Sequence, residues 1–524
     1  MAPSFSSPLG PGLCPIPPDD PFQILYRRLW NSPIQTHTKV VQVPAIGNPA
    51  RFTPFTASFL DLAPLYLTGG LGSRILARQE YHLIGQRIES DFLRSQSEYG
   101  FGGFVVLGHP GIGTSTFLYY QLFWYLHGGK PCVLQISPTR AYVFLSQGVL
   151  LLNLDDTFWS FDDTLRALGC PELMRVLVNS GERTGIGAPH PFFHSLDSVS
   201  KFFIIQATPP CSAWYKGWVK EYGANKTRIE PWSWEELYSL GTELFQQTYQ
   251  ELAMVYNEFG PIPRLCSSSS SQHLYDHARR SRRIAAEQIA RVAMTRSGWT
   301  FEDLSLDDGS LEAQCFFLLS PRRTCWAICD AFVSTKVAAY EFCQAFFPAN
   351  TRSLRRVFEG CMWPVDDSFK DMFHAGCVFE MIAHRYLAEG TPVTLSCVTS
   401  DYTKEMILRP RDSVIFIHLA DVGRTSIPQD RYCIFHNTQA SRFGFDAIYV
   451  RDEEVFLFAM TVESSISVDI TSLEVLRTVV NNHTTHLIVF RGISSLLCLV
   501  ACCYNQGPQG ATAHPGSSKS KHSG

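Results

Sequence analysis

A short apolar run followed by a glycine-rich loop is the feature that most constrains this fold. The run ends at Leu107, and the segment FVVLGHPGIGTS continues with Gly108, Gly111 and Gly113. The spacing G-x-x-x-x-G-x-[ST] is that of a P-loop, in which backbone N–H groups surround phosphate oxygens at a helix N-terminus. The sequence therefore predicts a strand, a phosphate-binding loop and a helix, although a glycine-rich turn without a ligand fits the same residues.

The loop departs from the P-loop pattern at one chemically important position. Thr114 stands where the pattern has a lysine, while Ser115 keeps the hydroxyl that would ligate Mg²⁺. The missing lysine removes a charge-assisted contact worth about 1.5–3 kcal/mol and a stabiliser of transition-state charge. We predict binding of ATP or another NTP with Mg²⁺. The expected contacts are Gly108, Gly111, Ile112, Gly113, Thr114, Ser115 and Thr116.

The composition favours a folded protein with several domains. Of the 524 residues, 45% are hydrophobic and 18% are charged, and this length corresponds to about three domains. The net charge of −4 gives no overall attraction to nucleic acid. The 16 cysteines lack disulfide or zinc-ligand spacing, and the N-terminus lacks a secretory signal pattern. We therefore expect a cytoplasmic or nuclear protein with reduced thiols.

Alternating strand and helix patterns predict an α/β fold. We expect strands at 104–107, 131–136, 174–178 and 202–206, a hairpin at 141–152, and helices at 80–100 and 114–127. The predicted division is a leader and extension (1–79), a nucleotide-binding domain (80–265), a helical lid or linker (266–346), a second, smaller α/β domain (347–495) and a disordered tail (496–524).

Several segments, taken in order, resemble a known family. The segments GHPGIGTSTFLYYQLFWYL, FFIIQATPP, IEPWSWEEL, FGPIPRLC and AGCVFEMIAHRYLAEG are similar to motifs of fungal P-loop NTPases allied to retrotransposon hot spot and crinkler-type proteins. The resemblance covers residues from about 80 to 490. It implies a P-loop NTPase domain with a helical lid, followed by a restriction-endonuclease-like domain.

The resemblance also implies roles outside the glycine-rich loop. A family strand ending in V-D-S-D-E is matched by residues 178–182. Asn179 then replaces a Mg²⁺-binding Asp and is a weaker ligand for a hard cation, while Glu182 is kept as a water-orienting carboxylate. A competing acidic motif is LLLNLDD, which offers Asp155 and Asp156 but also fits a hairpin and turn.

Two further residues are assigned to the nucleotide by the same resemblance. Thr208, at the end of FFIIQAT, is the expected γ-phosphate sensor, and Arg264 in GPIPR would reach the phosphates from the helical lid. A strand-terminal turn and a surface arginine are the alternative interpretations.

In the second domain, the resemblance implies a metal-dependent nuclease site built from carboxylates and a lysine. Glu380 and Asp446 are the remaining carboxylates, whereas Ala459 and Thr461 occupy the positions expected to hold Glu or Gln and Lys. Glu380 and Asp446 also fit a helix-surface charge and a strand-start turn. His384 is expected to be a surface histidine.

Two segments bear on possible partners. The basic run Arg279, Arg280, Arg282 and Arg283 would contact nucleic acid or direct nuclear import, although such a run also fits a solvated helix face. Residues 487–504 are apolar but interrupted, too short to span a membrane, and expected to form a buried strand or helix.

Three replacements at chemical positions, Thr114, Asn179 and Ala459, indicate a loss of catalysis. We therefore predict a nucleotide-sensing or interaction module with little or no hydrolysis. The first alternative is an active ATPase coupled to DNA binding or cleavage, with Lys130 or Arg264 in place of the lysine. The second is a decaying copy without stable function.

Overall fold

The computed structural model describes residues 12–34, 36–46, 48–62, 74–98, 102–155, 173–181, 184–194, 201–266, 272–295, 316–322, 325–335, 337–338, 341, 345, 380, 383–384, 387, 393–397, 403–406, 415–417, 429–435, 446–452, 454–461, 484–493 and 496–503. The chain has a mixed α/β fold, as predicted, with large sheets of parallel and antiparallel strands and several helices. It divides into two compact units, Met1–Cys377 and Val378–Gly524.

The first unit contains the elements that surround the glycine-rich loop. Its helices are α1 (Pro21–Leu29), α2 (Gln79–Glu98), α3 (Thr114–His127), α4 (Pro191–His194), α5 (Lys216–Tyr222), α6 (Trp234–Phe245), α7 (Tyr249–Phe259), α8 (Pro263–Cys266) and α9 (Gln272–Thr295). Its strands are β1 (Leu13–Pro15), β2 (Thr36–Ala45), β3 (Asn48–Asp61), β4 (Arg74–Leu76), β5 (Gly103–Leu107), β6 (Cys132–Ser137), β7 (Arg140–Leu145), β8 (Gly148–Asn153), β9 (Met174–Asn179), β10 (Phe202–Thr208), β11 (Asn225–Arg228), β12 (Phe317–Arg322) and β13 (Cys325–Val333).

An eight-stranded sheet organises this unit, with the order β1-β8-β7-β6-β9-β10-β5-β11. The strands β6, β9, β10, β5 and β11 are parallel, whereas β7, β8 and β1 extend one edge by antiparallel pairing. Every residue of β5 is buried. A parallel strand enclosed in this way is covered on both faces, which explains its unbroken apolar sequence.

The chain connections reverse direction at β5. From β5 the chain passes through α3 to β6, three places away on one side, and from β10 it passes through α5 to β11 on the other side. Phe104 and Val106 pack in the hydrophobic cluster that contains α3, while Val105 and Leu107 pack in the cluster that contains α5. The carboxyl end of β5 is therefore a topological switch point, where α/β sheets place their ligands.

The residues before 80 are more ordered than the predicted leader and extension. Strand β1 pairs with β8, so residues 13–15 belong to the large sheet. Helix α1 begins after Asp20, whose side chain accepts a hydrogen bond from the Phe22 amide at 2.8 Å, with Pro21 in the first turn. Strands β2, β3 and β4 form a separate sheet that packs against α6.

The segment predicted as a helical lid, 266–346, contains both helix and sheet. Helix α9 is followed by the antiparallel pair β12 and β13, whose sequences FLLSPR and CWAICDAFV are rich in apolar residues suited to strands.

No helix among the described residues is long and apolar enough to cross a membrane.

The second unit is built on another eight-stranded sheet, with the order β15-β14-β21-β20-β19-β18-β17-β16. Its strands are β14 (Val393–Cys397), β15 (Thr403–Met406), β16 (Ile415–Ile417), β17 (Tyr432–Phe435), β18 (Ala447–Arg451), β19 (Glu454–Thr461), β20 (Thr484–Ile493) and β21 (Leu496–Cys503). Residues 496–503, assigned to the tail from sequence, form a strand instead, because β21 pairs with β20 along its whole length. Residues 504–524 lie outside the described part of the chain.

Candidate functional site

The loop that joins β5 to α3, residues 108–115, lies at the carboxyl edge of the parallel strands and is called the glycine loop below. The Gly108 amide donates a hydrogen bond to the Thr208 carbonyl at 3.2 Å, which ties the loop to the neighbouring strand β10. Gly111 and Gly113 have φ angles of 91° and 105°. Both values are in the left-handed region, so other residues at these positions would be strained.

Two aromatic side chains hold the loop from behind. The Tyr81 hydroxyl of α2 donates to the Gly113 carbonyl at 3.1 Å, and the Trp232 indole N–H donates to the Ile112 carbonyl at 2.7 Å. Both aromatic side chains are buried, and a Cβ atom added at Gly113 would collide with the Tyr81 hydroxyl. Sequence reasoning missed both residues, although IEPWSWEEL was among the segments that it singled out.

The first turn of α3 contains the three residues that follow the last glycine. Ser115 is exposed, Thr114 is half-buried and Thr116 is buried. A Cβ atom added at Gly108 would lie 2.6 Å from the Thr114 methyl group, so Thr114 packs closely against the start of the loop. Of these three side chains, Ser115 is the one most accessible to a ligand.

Strand β9 brings Asn179 to the same edge of the sheet. The Ser115 hydroxyl donates to Asn179 Oδ1 at 2.9 Å, across 64 positions of sequence. The Asn179 carbonyl also accepts a hydrogen bond from the Thr184 hydroxyl at 2.8 Å, which fixes the turn after β9. Two neutral oxygen donors therefore meet beside the loop. Oxygen donors suit Mg²⁺ in kind, and the Asn179 amide is a weaker ligand than a carboxylate.

The two other residues assigned to the nucleotide also lie against the loop. The buried Thr208 hydroxyl donates to the Pro209 carbonyl at 3.0 Å, which is the geometry of a strand-terminal turn. Arg264 is exposed on α8, and its backbone amide donates to the Gly111 carbonyl at 3.4 Å. A Cβ atom added at Gly111 would lie 3.1 Å from the Arg264 Cβ, so this arginine packs directly on the loop. Glu182 lies outside the described residues.

Asp155, offered by the competing acidic motif, and Lys130, offered as a replacement for the P-loop lysine, both lie far from the loop. Asp155 follows β8, five places from β5 in the sheet, a separation of about 24 Å at the usual strand spacing; Asp156 lies outside the described residues. Lys130 follows the other end of α3, whose 14 residues rise about 21 Å, and its Nζ lies 2.8 Å from Glu89 Oε2. Lys130 is therefore not a replacement for the P-loop lysine.

A buried histidine within the loop adds no positive charge to it. Burial, and then the nearby Arg228 guanidinium, lower the pKa of His109 to about 3. The imidazole is therefore neutral at physiological pH. Arg228 ends β11 beside Leu107 and is itself buried. Neither residue was recognised from sequence: Arg228 reaches this edge only through the pairing of β11 with β5, and the burial of His109 has no local sequence signal.

In the second unit, His384 is buried rather than exposed, which corrects the sequence expectation. Its Nδ1 lies 2.8 Å from the Tyr432 hydroxyl and its Nε2 lies 3.3 Å from Glu380 Oε1. Glu380 is accordingly a buried partner of a histidine, and not a helix-surface charge. These three side chains form a hydrogen-bonded group on the β17 side of the sheet.

Asp446 directly precedes β18, where its amide donates to the Phe458 carbonyl at 2.6 Å. The ladder of β18 with β19 begins at the next residue, Ala447, which pairs with Phe458. The described residues contain no group of three or more His, Cys, Asp or Glu able to hold a metal ion.

The basic run on α9 is partly used within the fold. Arg279 pairs with Glu258, and the buried Arg282 pairs with Glu341 and donates to the Glu258 carbonyl at 2.7 Å. Arg280 and Arg283 are exposed. Arg279 is exposed as well but is held by its ion pair with Glu258, so Arg280 and Arg283 are the better candidates for contact with an anionic partner.

No family model matches this chain, and no curated protein matches it. The resemblance to the fungal P-loop NTPases therefore rests on the quoted sequence motifs.

Proposed function

We propose that this chain binds the phosphates of ATP or another NTP at the glycine loop and acts as a nucleotide-sensing or interaction protein with little or no hydrolysis. The observation that carries the proposal is the contact between Ser115 and Asn179 at 2.9 Å, beside a glycine loop at the switch point of a parallel sheet. In the resemblance these are the two positions that would hold Mg²⁺. The two segments lie far apart in sequence, and the fold brings them together.

The backbone of the loop suits an anion. Helix α3 begins directly after Gly113 and has 14 residues, so its N-terminus presents amide groups and a partial positive charge of about half a unit. The left-handed Gly111 and Gly113 allow the tight curvature that brings successive amides toward one point. Phosphate binding would therefore depend mainly on the backbone, since the lysine is replaced.

Three side chains argue against efficient turnover. Thr114 brings no charge to the phosphates, and Asn179 is a neutral ligand. The Thr208 hydroxyl donates to the Pro209 carbonyl and not toward the loop. When bound, Mg²⁺ would neutralise phosphate charge; Ser115 and Asn179 are the residues that would hold it. A site with these substitutions favours binding over hydrolysis.

An active hydrolase coupled to DNA is the second candidate, and one observation favours it. Arg264 packs on Gly111, so its guanidinium starts from a position next to the phosphate site and would supply the cation that Thr114 lacks. Substitution Arg264→Gln tests this candidate. The substitution should abolish turnover if Arg264 takes the place of the lysine. A wild-type protein without turnover, or turnover that persists in the variant, would contradict this candidate.

The decisive experiment is thermal unfolding with and without millimolar ATP and Mg²⁺, combined with a phosphate-release assay. A ligand at 100 times its Kd stabilises the native state by about 2.7 kcal/mol, so binding should raise the Tm clearly. Asp155→Asn is the matched control, because it removes the competing acidic residue and should leave the Tm shift unchanged.

Two restoring substitutions separate the phosphate and metal contributions. Thr114→Lys should tighten ATP binding with or without Mg²⁺, whereas Asn179→Asp should tighten it only with Mg²⁺. The absence of any Tm shift in the wild-type protein and in the double variant would show that the glycine loop is not a nucleotide site.

A further inference from the structure

Two consecutive carbonyl groups of the glycine loop are held from the protein interior by side chains of distant elements. Ile112 O accepts from the Trp232 indole at 2.7 Å, and Gly113 O accepts from the Tyr81 hydroxyl at 3.1 Å. The two donors lie 120 and 32 positions away in sequence. The Gly113 carbonyl also accepts the first intrahelical bond of α3, from the Phe117 amide at 2.9 Å, so Tyr81 is a second donor to it, added from outside the turn.

The direction of a carbonyl determines the direction of the next amide. In a planar trans peptide, the C=O of one residue and the N–H of the next point to opposite sides. Holding the Ile112 carbonyl toward Trp232 therefore turns the Gly113 N–H away from the interior. The Gly113 carbonyl, held jointly by Tyr81 and by the Phe117 amide of α3, does the same for the Thr114 N–H. These are successive amides at the N-terminus of α3, where an anion would bind.

A buried arginine supports both donors. The Arg78 guanidinium lies 4.7 Å from the centroid of the Trp232 ring and 5.4 Å from that of Tyr81. It forms an ion pair with Glu236 at 3.0 Å and donates to the Glu230 carbonyl at 3.1 Å. The cation over the two rings limits their movement.

The segment PWSWEEL supplies the rest of this support. Ser233 and Glu236 form a capping box at the start of α6, which fixes the backbone immediately after Trp232. Glu236 therefore both caps the helix and holds Arg78. Burial raises the pKa of Tyr81 to about 12, so its hydroxyl remains a donor throughout the physiological range.

We propose that Tyr81 and Trp232 are positioning residues that hold the glycine loop in its anion-binding conformation before any ligand arrives. This carbonyl clamp, Tyr81 and Trp232, rests on the proposed function for its ligand, the phosphates of a nucleoside triphosphate. Preorganisation improves affinity because the loop does not have to be ordered when the ligand binds. In this chain it partly offsets the missing lysine.

The chain offers matched controls for both residues. Tyr81→Phe and Trp232→Phe each remove one donor to a loop carbonyl. Tyr26→Phe removes a similar bond from a buried tyrosine to the Leu145 carbonyl at 2.7 Å, and Trp234→Phe removes an indole bond to the Pro44 carbonyl at 2.7 Å. Tyr26 lies on α1, outside the elements that support the loop. Trp234 lies two residues after Trp232 in the supporting segment, so its variant tests the loss of an indole bond in that segment that is not made to the loop.

Two readouts are measured for all four variants and the wild type. The first is amide hydrogen exchange of residues 108–115 without nucleotide. The second is the Kd for ATP with Mg²⁺. We expect exchange in the loop to become about twofold to twelvefold faster, and the Kd to rise by a similar factor, in Tyr81→Phe and Trp232→Phe only. These factors are the worth of a net hydrogen bond, about 0.5–1.5 kcal/mol, converted at 1.4 kcal/mol per tenfold.

The outcomes distinguish the clamp from the proposed function. Unchanged loop exchange in the two clamp variants, or equal effects in the controls, would overturn the clamp. If the wild-type protein binds no ATP, the proposed nucleotide function is wrong, and hydrogen exchange without nucleotide still decides whether Tyr81 and Trp232 hold the loop.

Discussion

Replacing Gly113 with alanine tests whether the glycine loop has the conformation described. Gly113 has a φ of 105°, and a Cβ atom there would collide with the Tyr81 hydroxyl. A left-handed conformation costs a non-glycine residue about 1–3 kcal/mol. Displacing the hydroxyl also removes its bond to the Gly113 carbonyl, worth about 0.5–1.5 kcal/mol. Gly113→Ala should therefore destabilise the protein by about 1.5–4.5 kcal/mol.

Two other glycines separate these contributions. Gly223 has a φ of 61° with open space around its missing Cβ, so Gly223→Ala introduces backbone strain alone, about 1–2 kcal/mol. Gly217 lies in α5 with ordinary φ and open space, so Gly217→Ala should stabilise the protein by about 0.4–1 kcal/mol. The difference between Gly113→Ala and Gly223→Ala then measures the collision with Tyr81.

Urea unfolding followed by tryptophan fluorescence is the appropriate assay. All ten tryptophans of the chain lie within the first unit, Met1–Cys377, so the signal reports on the unit that contains the loop. Combining Gly113→Ala with Tyr81→Phe should recover part of the loss, since the smaller side chain removes the collision. A Gly113→Ala protein as stable as Gly223→Ala would refute the close approach of Tyr81 to the loop.

Three further predictions concern charged residues of the same unit. Burial, and then the nearby Glu230 carboxylate, raise the pKa of Glu80 to about 7. The contribution of Glu80 to stability is thus complete below about pH 4.5 and is lost as the pH rises through 7. The urea midpoint of the wild-type protein should therefore fall between about pH 5 and pH 8, and Glu80→Gln should flatten that fall. A wild-type midpoint independent of pH would contradict this. Arg282→Gln should lower the unfolding free energy by about 3 kcal/mol because it breaks a buried ion pair. The double change Arg280→Gln with Arg283→Gln should alter the unfolding free energy by less than about 0.5 kcal/mol. It should also abolish any DNA binding seen at low salt. Persistence of that binding would exclude these arginines as its source.

Much of the sheet edge that carries the glycine loop was predictable from local pattern. Helix α3 has the predicted bounds because glycines precede and follow a continuous apolar segment. The approach of Asn179 to Ser115 follows from the rule that the carboxyl ends of parallel strands share one edge. The bounds of α3 need only local pattern, whereas Asn179 was proposed from the family resemblance and the sheet rule explains why it approaches Ser115.

The supports of the loop were not predictable in the same way. Tyr81 reads as an apolar position of an amphipathic helix, and Trp232 reads as a core residue. Their polar atoms reach the loop only because crossovers place α2 and the segment before α6 behind it. The hairpin of β2 and β3 was missed for another reason. Its exposed half, beginning at Thr36, is polar on both faces, so the alternation typical of a half-buried strand is absent.

The two replacements at the proposed phosphate site have opposite effects on its charge. A lysine at position 114 would add one positive charge, and an aspartate at 179 would add one negative charge, so their joint absence leaves the formal charge of the pair unchanged. Restoring aspartate alone would place an anion beside Ser115 and repel phosphate unless Mg²⁺ were present. The backbone amides held by Tyr81 and Trp232 carry no formal charge and are unaffected by either replacement. Such a site keeps the part of phosphate recognition that depends on backbone geometry and loses the part that stabilises charge in a transition state, which is why binding and hydrolysis should separate in this protein.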